Sequence, residues 1–196
     1  MFLRYNYMEL SWSKKLFLRI NAEVGKRVWL DKTMKFCAHW LIYLYCLAIL
    51  VWGVAVLLPI EFKEFIKLLL TAVVLGNIVS WVLAVVWQHP RPIEELPDIK
   101  EIVLPLQTFR SFPSIHTMMS FIFLFLAILS GVGILLCGIF FVVSVIIATA
   151  RVYVGVHYPR DILGGIFFAL VLSLLVFWLL ENISQPVYVF FINLFK

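Results

Sequence analysis

The chain has 196 residues, 64% of them hydrophobic and only 14% charged, with a mean hydropathy of +1.04. A soluble domain averages about 45–50% apolar and about 25% charged residues, so this composition excludes a soluble globular protein. The formal net charge of +5, from 16 Lys+Arg against 11 Asp+Glu, suits anionic headgroups or ordinary topogenic charge and gives no reason to invoke nucleic acid.

In chain order, the first element is amphipathic. From Ser13 to Asp31 the charges Lys14, Lys15, Arg19, Glu23, Lys26 and Arg27 alternate with Leu16, Phe17, Ile20, Val24 and Val28 at helical spacing. That pattern predicts a helix lying in the headgroup plane. The first 36 residues carry no cleavable signal pattern. A spanning helix needs about 20 mostly apolar residues. Four or five segments meet or approach this: Phe36 to Leu58, Phe65 to Trp87, the shorter His116 to Ser130, Val132 to Val152 and Ile162 to Leu180. The third and fourth, with almost no polar residue between them, predict a tight hairpin. Glu181-Asn182 closes the fifth, and the apolar tail after Pro186 is too short to span. Cys37, Cys46 and Cys137 form no metal-like spacing and read as small hydrophobes. The expected fold is all-α: a polytopic membrane helical bundle of about five transmembrane helices plus an N-terminal interfacial amphipathic helix. Its parts are residues 1–35 (interfacial), 36–182 (core) and 183–196 (tail).

Two polar regions interrupt the apolar pattern, Gln88 to Ser114 and Arg151 to Asp161. An even number of crossings separates them, so both face the same side. This brings Arg91, His116, Arg151, His157 and Asp161 to one membrane surface.

The residue types there suit phosphate chemistry. Asp161 follows His157 by four residues, close enough for its carboxylate to hold one imidazole nitrogen and leave the other as nucleophile. Arg151 offers a fork suited to phosphate. Ser114 and the amides at the mouth of the third helix make an anion site, and His116 can protonate a leaving oxygen. Each piece alone also has a plain structural reading. Arg151 can snorkel, Asp161 can cap the fifth helix, Ser114 can cap the third, and Arg91 can be an interfacial cation. Clustered at membrane depth, ionisable residues are costly and usually functional.

Arg91-Pro92, then Pro113-Ser114-Ile115-His116, then Arg151-x5-His157-x3-Asp161 resembles the three-part signature of the type 2 phosphatidic acid phosphatase superfamily. The order matches, with 20 residues between Pro92 and Pro113 and 34 between His116 and Arg151. The similarity covers roughly Phe65 to Leu180. It implies that His157 attacks phosphorus and forms a phosphohistidine, that Asp161 assists it, and that His116 protonates the leaving oxygen. Arg91, Ser114, Arg151 and the N–H of Ile115 would hold the phosphate oxygens, and no metal or cofactor is expected. Three positions depart from the pattern. Ala84 stands where the family usually has Lys, Ile115 where it has Gly, and Ala150 where it has Ser. Gln88 and His89 are the candidates to replace the missing cation.

The short chain and its opening, Leu16 to Asn21 followed by Leu30-Asp31, look most similar to small bacterial undecaprenyl-diphosphatases. The expected reaction is hydrolysis of a lipid phosphate or diphosphate, best read as undecaprenyl diphosphate to undecaprenyl phosphate plus phosphate, with membrane lipids as the surroundings. Other lipid phosphates (phosphatidylglycerophosphate, phosphatidate, lipid A), phosphotransfer to a lipid acceptor, and a lipid-binding protein with a degenerate site are the alternatives. Oligomeric state is not legible. Lys and Arg crowd the Arg4–Lys35 stretch and the active-site loops, which by the positive-inside rule puts the site in the cytoplasm. The resemblance puts it on the outer face of a bacterial inner membrane. The outer face is favoured here, because catalytic arginines and an interfacial helix inflate the count.

Overall fold

The computed structural model describes residues 11–96, 99–103 and 111–194, and these are helical with no strand among them. The start of the expected interfacial segment, including Arg4, and part of the Gln88–Ser114 loop fall outside the described residues. The helices are α1 (Trp12–Asn21), α2 (Val28–His39), α3 (Leu41–Val56), α4 (Pro59–Val86), α5 (Pro92–Glu95), α6 (Ile115–Leu129), α7 (Ile134–Tyr153), α8 (Pro159–Leu179) and α9 (Gln185–Leu194).

The bundle is built around α6. It packs on α3, α4, α7 and α8, and most of its residues are buried, among them Met118, Ile122, Leu124 and Leu126. The outward faces of α3, α4, α7 and α8 are exposed and apolar, with Val51, Val74, Val142 and Leu174 as examples. That inversion is what a lipid solvent permits, since exposed Leu and Val cost nothing against acyl chains. Three continuous helical stretches are long and apolar enough to cross a membrane: Pro59–Val86, Ile134–Tyr153 and Pro159–Phe191. A fourth crossing forms if α2 and α3, bent by 54°, count as one broken span. Helix α6 has 15 residues, only about 22 Å at 1.5 Å per residue. It reaches less far than a hydrocarbon core of about 30 Å, which is consistent with its being the buried centre of the bundle.

Besides the short α6 and the bend that splits the expected Phe36–Leu58 span, two elements differ from the sequence expectation. The Ser13–Asp31 amphipathic stretch is not one helix. It breaks after Asn21, where the Asp31 carboxylate accepts the Gly25 N–H at 3.1 and 3.2 Å and starts α2 instead. Nor does the fifth span close at Glu181-Asn182. A π-helical turn, Leu180–Ser184, carries it into α9. Pro186 lacks an N–H and its ring clashes with the carbonyl four residues back. The wider turn just before it opens the spiral, and Asn182 Nδ2 donates to the Trp178 carbonyl at 2.9 Å.

The α6–α7 hairpin is as tight as expected. The Val132 N–H donates to the Ala127 carbonyl and the Gly131 N–H to that of Ile128 at 3.0 Å each, closing the end of α6.

Candidate active site

The site forms where the start of α6 meets the turn between α7 and α8. Gly165 makes this approach possible: a Cβ there would stand 2.8 Å from the Ser114 carbonyl oxygen and 3.2 Å from the Met118 nitrogen. With α8 this close, the Ser114 N–H donates to the Asp161 carbonyl at 3.0 Å. The α7–α8 turn needs Gly155, whose φ of +91° a side chain would strain. The loop through Ile102 pairs with that turn, its N–H donating to the Val154 carbonyl at 3.2 Å.

His157 lies at the centre and is 2% exposed. Its Nδ1 faces Asp161 Oδ2 at 3.6 Å, and its Nε2 faces Arg91 Nη1 at 3.4 Å. At 3.6 Å the carboxylate contact is electrostatic; closing by about half an ångström makes it a hydrogen bond. The carboxylate on the Nδ1 side favours the Nδ1–H tautomer and leaves the Nε2 lone pair toward the arginine. Burial pushes the His157 imidazole down to about 4, helped by Arg91 and Arg151 and opposed by Asp161. The neutral form, with a free Nε2 lone pair, is therefore the resting form at neutral pH.

Arg91 is fixed by donating to the Val156 carbonyl at 2.7 Å. Arg151, 7% exposed at the end of α7, donates to the Ala38 carbonyl at 2.9 Å. That carbonyl lies at the C-terminus of α2, where the last carbonyls have no partner inside the helix. The bend between α2 and α3 thus presents an acceptor to the arginine. The two guanidiniums lie within each other's field, a costly arrangement unless an anion joins them. His116, on the first turn of α6, is within the field of both arginines and of His157. Among the described residues the buried His116 Nδ1 and Arg151 Nε have no hydrogen-bond partner.

Ser114 stands at the N-cap position, yet its hydroxyl does not cap the backbone. It accepts from Thr117 Oγ1 at 3.0 Å, which leaves its own O–H to donate elsewhere. The Ile115 N–H next to it belongs to the first helical turn, whose amides have no partner inside the helix. Asp161 combines the two roles open to it. It caps α8 by accepting the Tyr158 N–H at 2.8 Å, and it faces His157. Ala84 is buried on α4, Gln88 is exposed beyond the end of that helix, and His89 stacks on Trp87 with ring centroids 5.5 Å apart.

Sequence reasoning missed the parts that clamp these loops. Helix α1 lies across them: Phe17 is fully buried with its ring edge-on to Tyr158 at 5.3 Å, and Ser13 Oγ accepts the Arg160 N–H at 3.1 Å. Asn21 and Lys100 exchange two bonds, Asn21 Nδ2 to the Lys100 carbonyl at 2.7 Å and the Lys100 N–H to Asn21 Oδ1 at 2.9 Å. Tyr153 donates to Asp31 Oδ1 at 2.7 Å, while Tyr158 and Lys14 converge on Glu95 Oε2 at 2.8 and 3.0 Å. The one signal available was the spacing of Ser13, Phe17 and Asn21, which puts them in a line on one face of a helix, the face that the structure buries.

The site is thus two arginines, His116, a serine hydroxyl and a helix N-terminus around the buried His157 imidazole. The PAP2 superfamily matches residues 65–185, more than half of the chain and all of these catalytic-type residues. The chain belongs to the PAP2 superfamily. It is an integral membrane protein of this lipid phosphatase family. It is 32% identical over 168 residues to "Putative undecaprenyl-diphosphatase YbjG" of Escherichia coli, covering 83% of this chain and 81% of that one. It is 25% identical to the bacitracin transport permease protein BcrC of Bacillus licheniformis, covering 85% and 80%. Its fold is similar to the crystal structure of Aquifex aeolicus LpxE, with a TM-score of 0.72 at 24% identity over 86% of this chain and 96% of that one. It is also similar to a PAP2-type phosphatidylglycerolphosphate phosphatase from Bacillus subtilis, with a TM-score of 0.60 at 22% identity over 90% of each chain.

An expected result follows from the burial of His157. The ring nitrogens of 15N-labelled protein in detergent, assigned by difference from His157→Ala, should show Nδ1 protonated and Nε2 bare at pH 6. The midpoint should fall well below the ordinary 6.5, near the 4 that burial imposes. Titration at 6.5 would contradict this account of the nucleophile.

Proposed function

We propose that the chain hydrolyses undecaprenyl diphosphate to undecaprenyl phosphate and inorganic phosphate, through a phosphohistidine on His157. The observation that carries the reading is the convergence of Arg91, Arg151 and His116 on the buried His157 imidazole. The likeness to the E. coli relative, over most of both chains, supports the choice of lipid.

In this mechanism the terminal phosphate sits between the two guanidiniums, the Ser114 hydroxyl and the Ile115 N–H. All of these act on charge that builds on the phosphoryl oxygens in the transition state. The His157 Nε2 lone pair attacks phosphorus. The P–O bond to the lipid phosphate breaks, and His116, protonated once the negative charge of the substrate phosphate is bound beside it, gives that proton to the departing oxygen. Asp161 holds Nδ1–H and stabilises the ring as it gains charge. Water, deprotonated by His116, then attacks the phosphohistidine. The P–N bond breaks, phosphate leaves, and both histidines return to their starting state.

Residues 36–182 form the catalytic core in this reading, with 1–35 as an interfacial segment and 183–196 as a tail. The site faces outward from a bacterial inner membrane. Arg91 and Arg151 are committed to the pocket by their bonds to Val156 and Ala38, which supports discounting them as topogenic charges.

The testing experiment is a phosphate-release panel in detergent, without added metal, across undecaprenyl diphosphate, phosphatidylglycerophosphate, phosphatidate and lipid A. Preference for undecaprenyl diphosphate is expected, and a stronger preference for another lipid would replace the substrate. Ala84, in place of a phosphate-binding cation, favours a second reading as a lipid-binding protein. Vanadate binding with no phosphate release from any of the four lipids would establish that one.

A further inference from the structure

Ser111 has no role in the mechanism above, yet it joins all three polar pieces of the site. It is fully buried. Its N–H donates to the His89 carbonyl at 2.8 Å, beside Arg91. Its hydroxyl donates to Asp161 Oδ2. The Tyr158 N–H donates to that same oxygen at 2.8 Å, and His157 Nδ1 lies 3.6 Å from it. One carboxylate oxygen is therefore gripped from two sides, with the nucleophile's ring on the third.

The grip has a competitor. Asp161 Oδ1 has no hydrogen-bond partner among the described residues, and Arg160 Nε stands 3.7 Å from it. Arg160 is the cation on the adjacent residue, with its side chain 27% exposed. Rotation of the carboxylate toward that guanidinium would take Oδ2 away from His157. A hydroxyl donor on Oδ2 opposes the rotation, because turning would break its bond in a dry site where an unpaired partner is costly.

We infer that Ser111 is a positioning residue for phosphoryl transfer: its hydroxyl locks the Asp161 carboxylate in the rotamer that serves His157 Nδ1. The inference rests on the assignment of His157 as nucleophile. It acts on how fast the phosphohistidine forms, and it leaves the groups that bind phosphate untouched.

The experiment compares Ser111→Ala, Ser111→Cys, Ser111→Thr, Asp161→Asn and the Ser111→Ala/Asp161→Asn double variant by phosphate release from undecaprenyl diphosphate. Loss of a group that orients a reacting side chain typically costs about 10–100-fold in activity. Ala and Cys should lower kcat by that amount with KM within about threefold. Cys keeps the volume but is a weak donor, so it separates packing from hydrogen bonding. Thr keeps the donor and should restore kcat to within a few-fold. The double variant should be no slower than Asp161→Asn alone, because groups that act as one unit are not additive. Wild-type kcat in both Ala and Cys, or a double variant slower by the product of the two single effects, overturns the inference. If wild-type protein releases no phosphate from any lipid, the proposed function fails instead. The inference is then read from the 15N signal of His157 Nδ1, which should shift in Ser111→Cys; an unchanged signal overturns it.

Discussion

His157→Ala should abolish phosphate release, with kcat falling by at least about 10⁴-fold, because in the proposed mechanism it removes the group that forms the covalent intermediate. The pocket should survive the change. Arg91 is anchored on the Val156 carbonyl and Arg151 on that of Ala38, and neither bond involves the imidazole. Vanadate should therefore still bind the variant, and the pairing of lost turnover with retained binding separates a missing nucleophile from a collapsed site. His116→Ala gives the complementary result, and it depends on the substrate. A lipid alcohol is a poor leaving group and needs a proton in the transition state, so a monoester such as phosphatidate should lose about 10²–10⁴-fold, the usual range for a general acid. A lipid phosphate leaves as a stable anion, so undecaprenyl diphosphate should lose much less in kcat/KM, which reports formation of the phosphohistidine and not the hydrolysis step that both substrates share. Equal losses on both would remove His116 from the role of acid. Phosphate release by His157→Ala at wild-type rate would end the phosphohistidine mechanism.

The clustering of the proposed catalytic residues was legible in the sequence because it rests on two robust features. The apolar runs are hard to mistake, and the α6–α7 hairpin brings the chain back to the side it left, which places Arg91, His116, Arg151, His157 and Asp161 on one face. The ambiguity at Ser114 could be resolved only in three dimensions. Its hydroxyl accepts from Thr117 instead of capping the helix, a choice that depends on side-chain rotamers. The contacts that clamp the site were not legible for a different reason. Asn21 with Lys100, Arg151 with Ala38 and Ser111 with Asp161 are 79, 113 and 50 residues apart. They use backbone carbonyls, an amide and a hydroxyl, groups that most segments possess. Nothing in a local pattern marks the Ala38 carbonyl as an acceptor; only the bend after α2 exposes it. The continuation of α8 into α9 escaped for a local reason. Glu181, Asn182 and Pro186 read as a helix end, whereas a π turn accommodates them.

Gly165→Ala should be among the most damaging small substitutions in this chain, and Gly138→Ala among the most harmless, although both glycines lie inside long apolar helices. At Gly165 the new methyl would stand 2.8 Å from the Ser114 carbonyl oxygen, 3.2 Å from the Met118 nitrogen and 3.2 Å from Thr117 Cβ. Two of these three neighbours are backbone atoms on the first turn of α6, which no rotamer change can move aside. Helices α6 and α8 must separate, and overpacking of this kind typically costs about 1–3 kcal/mol. The functional cost should exceed the stability cost. The separation falls between Ser114, which would face the phosphate in the proposed mechanism, and Asp161, whose carbonyl the Ser114 N–H holds at 3.0 Å. A misplacement of about 1 Å in an active site costs on the order of 10²-fold in rate. At Gly138 no atom lies within 4 Å of the added methyl, and Ala favours a helix over Gly by about 1 kcal/mol. Thermal unfolding in detergent should thus rank Gly138→Ala at or above wild type and Gly165→Ala below it. Phosphate release should fall about 10²-fold or more in Gly165→Ala alone. Full activity in that variant would mean that the approach of α8 to the mouth of α6 does not set the geometry of the phosphate site.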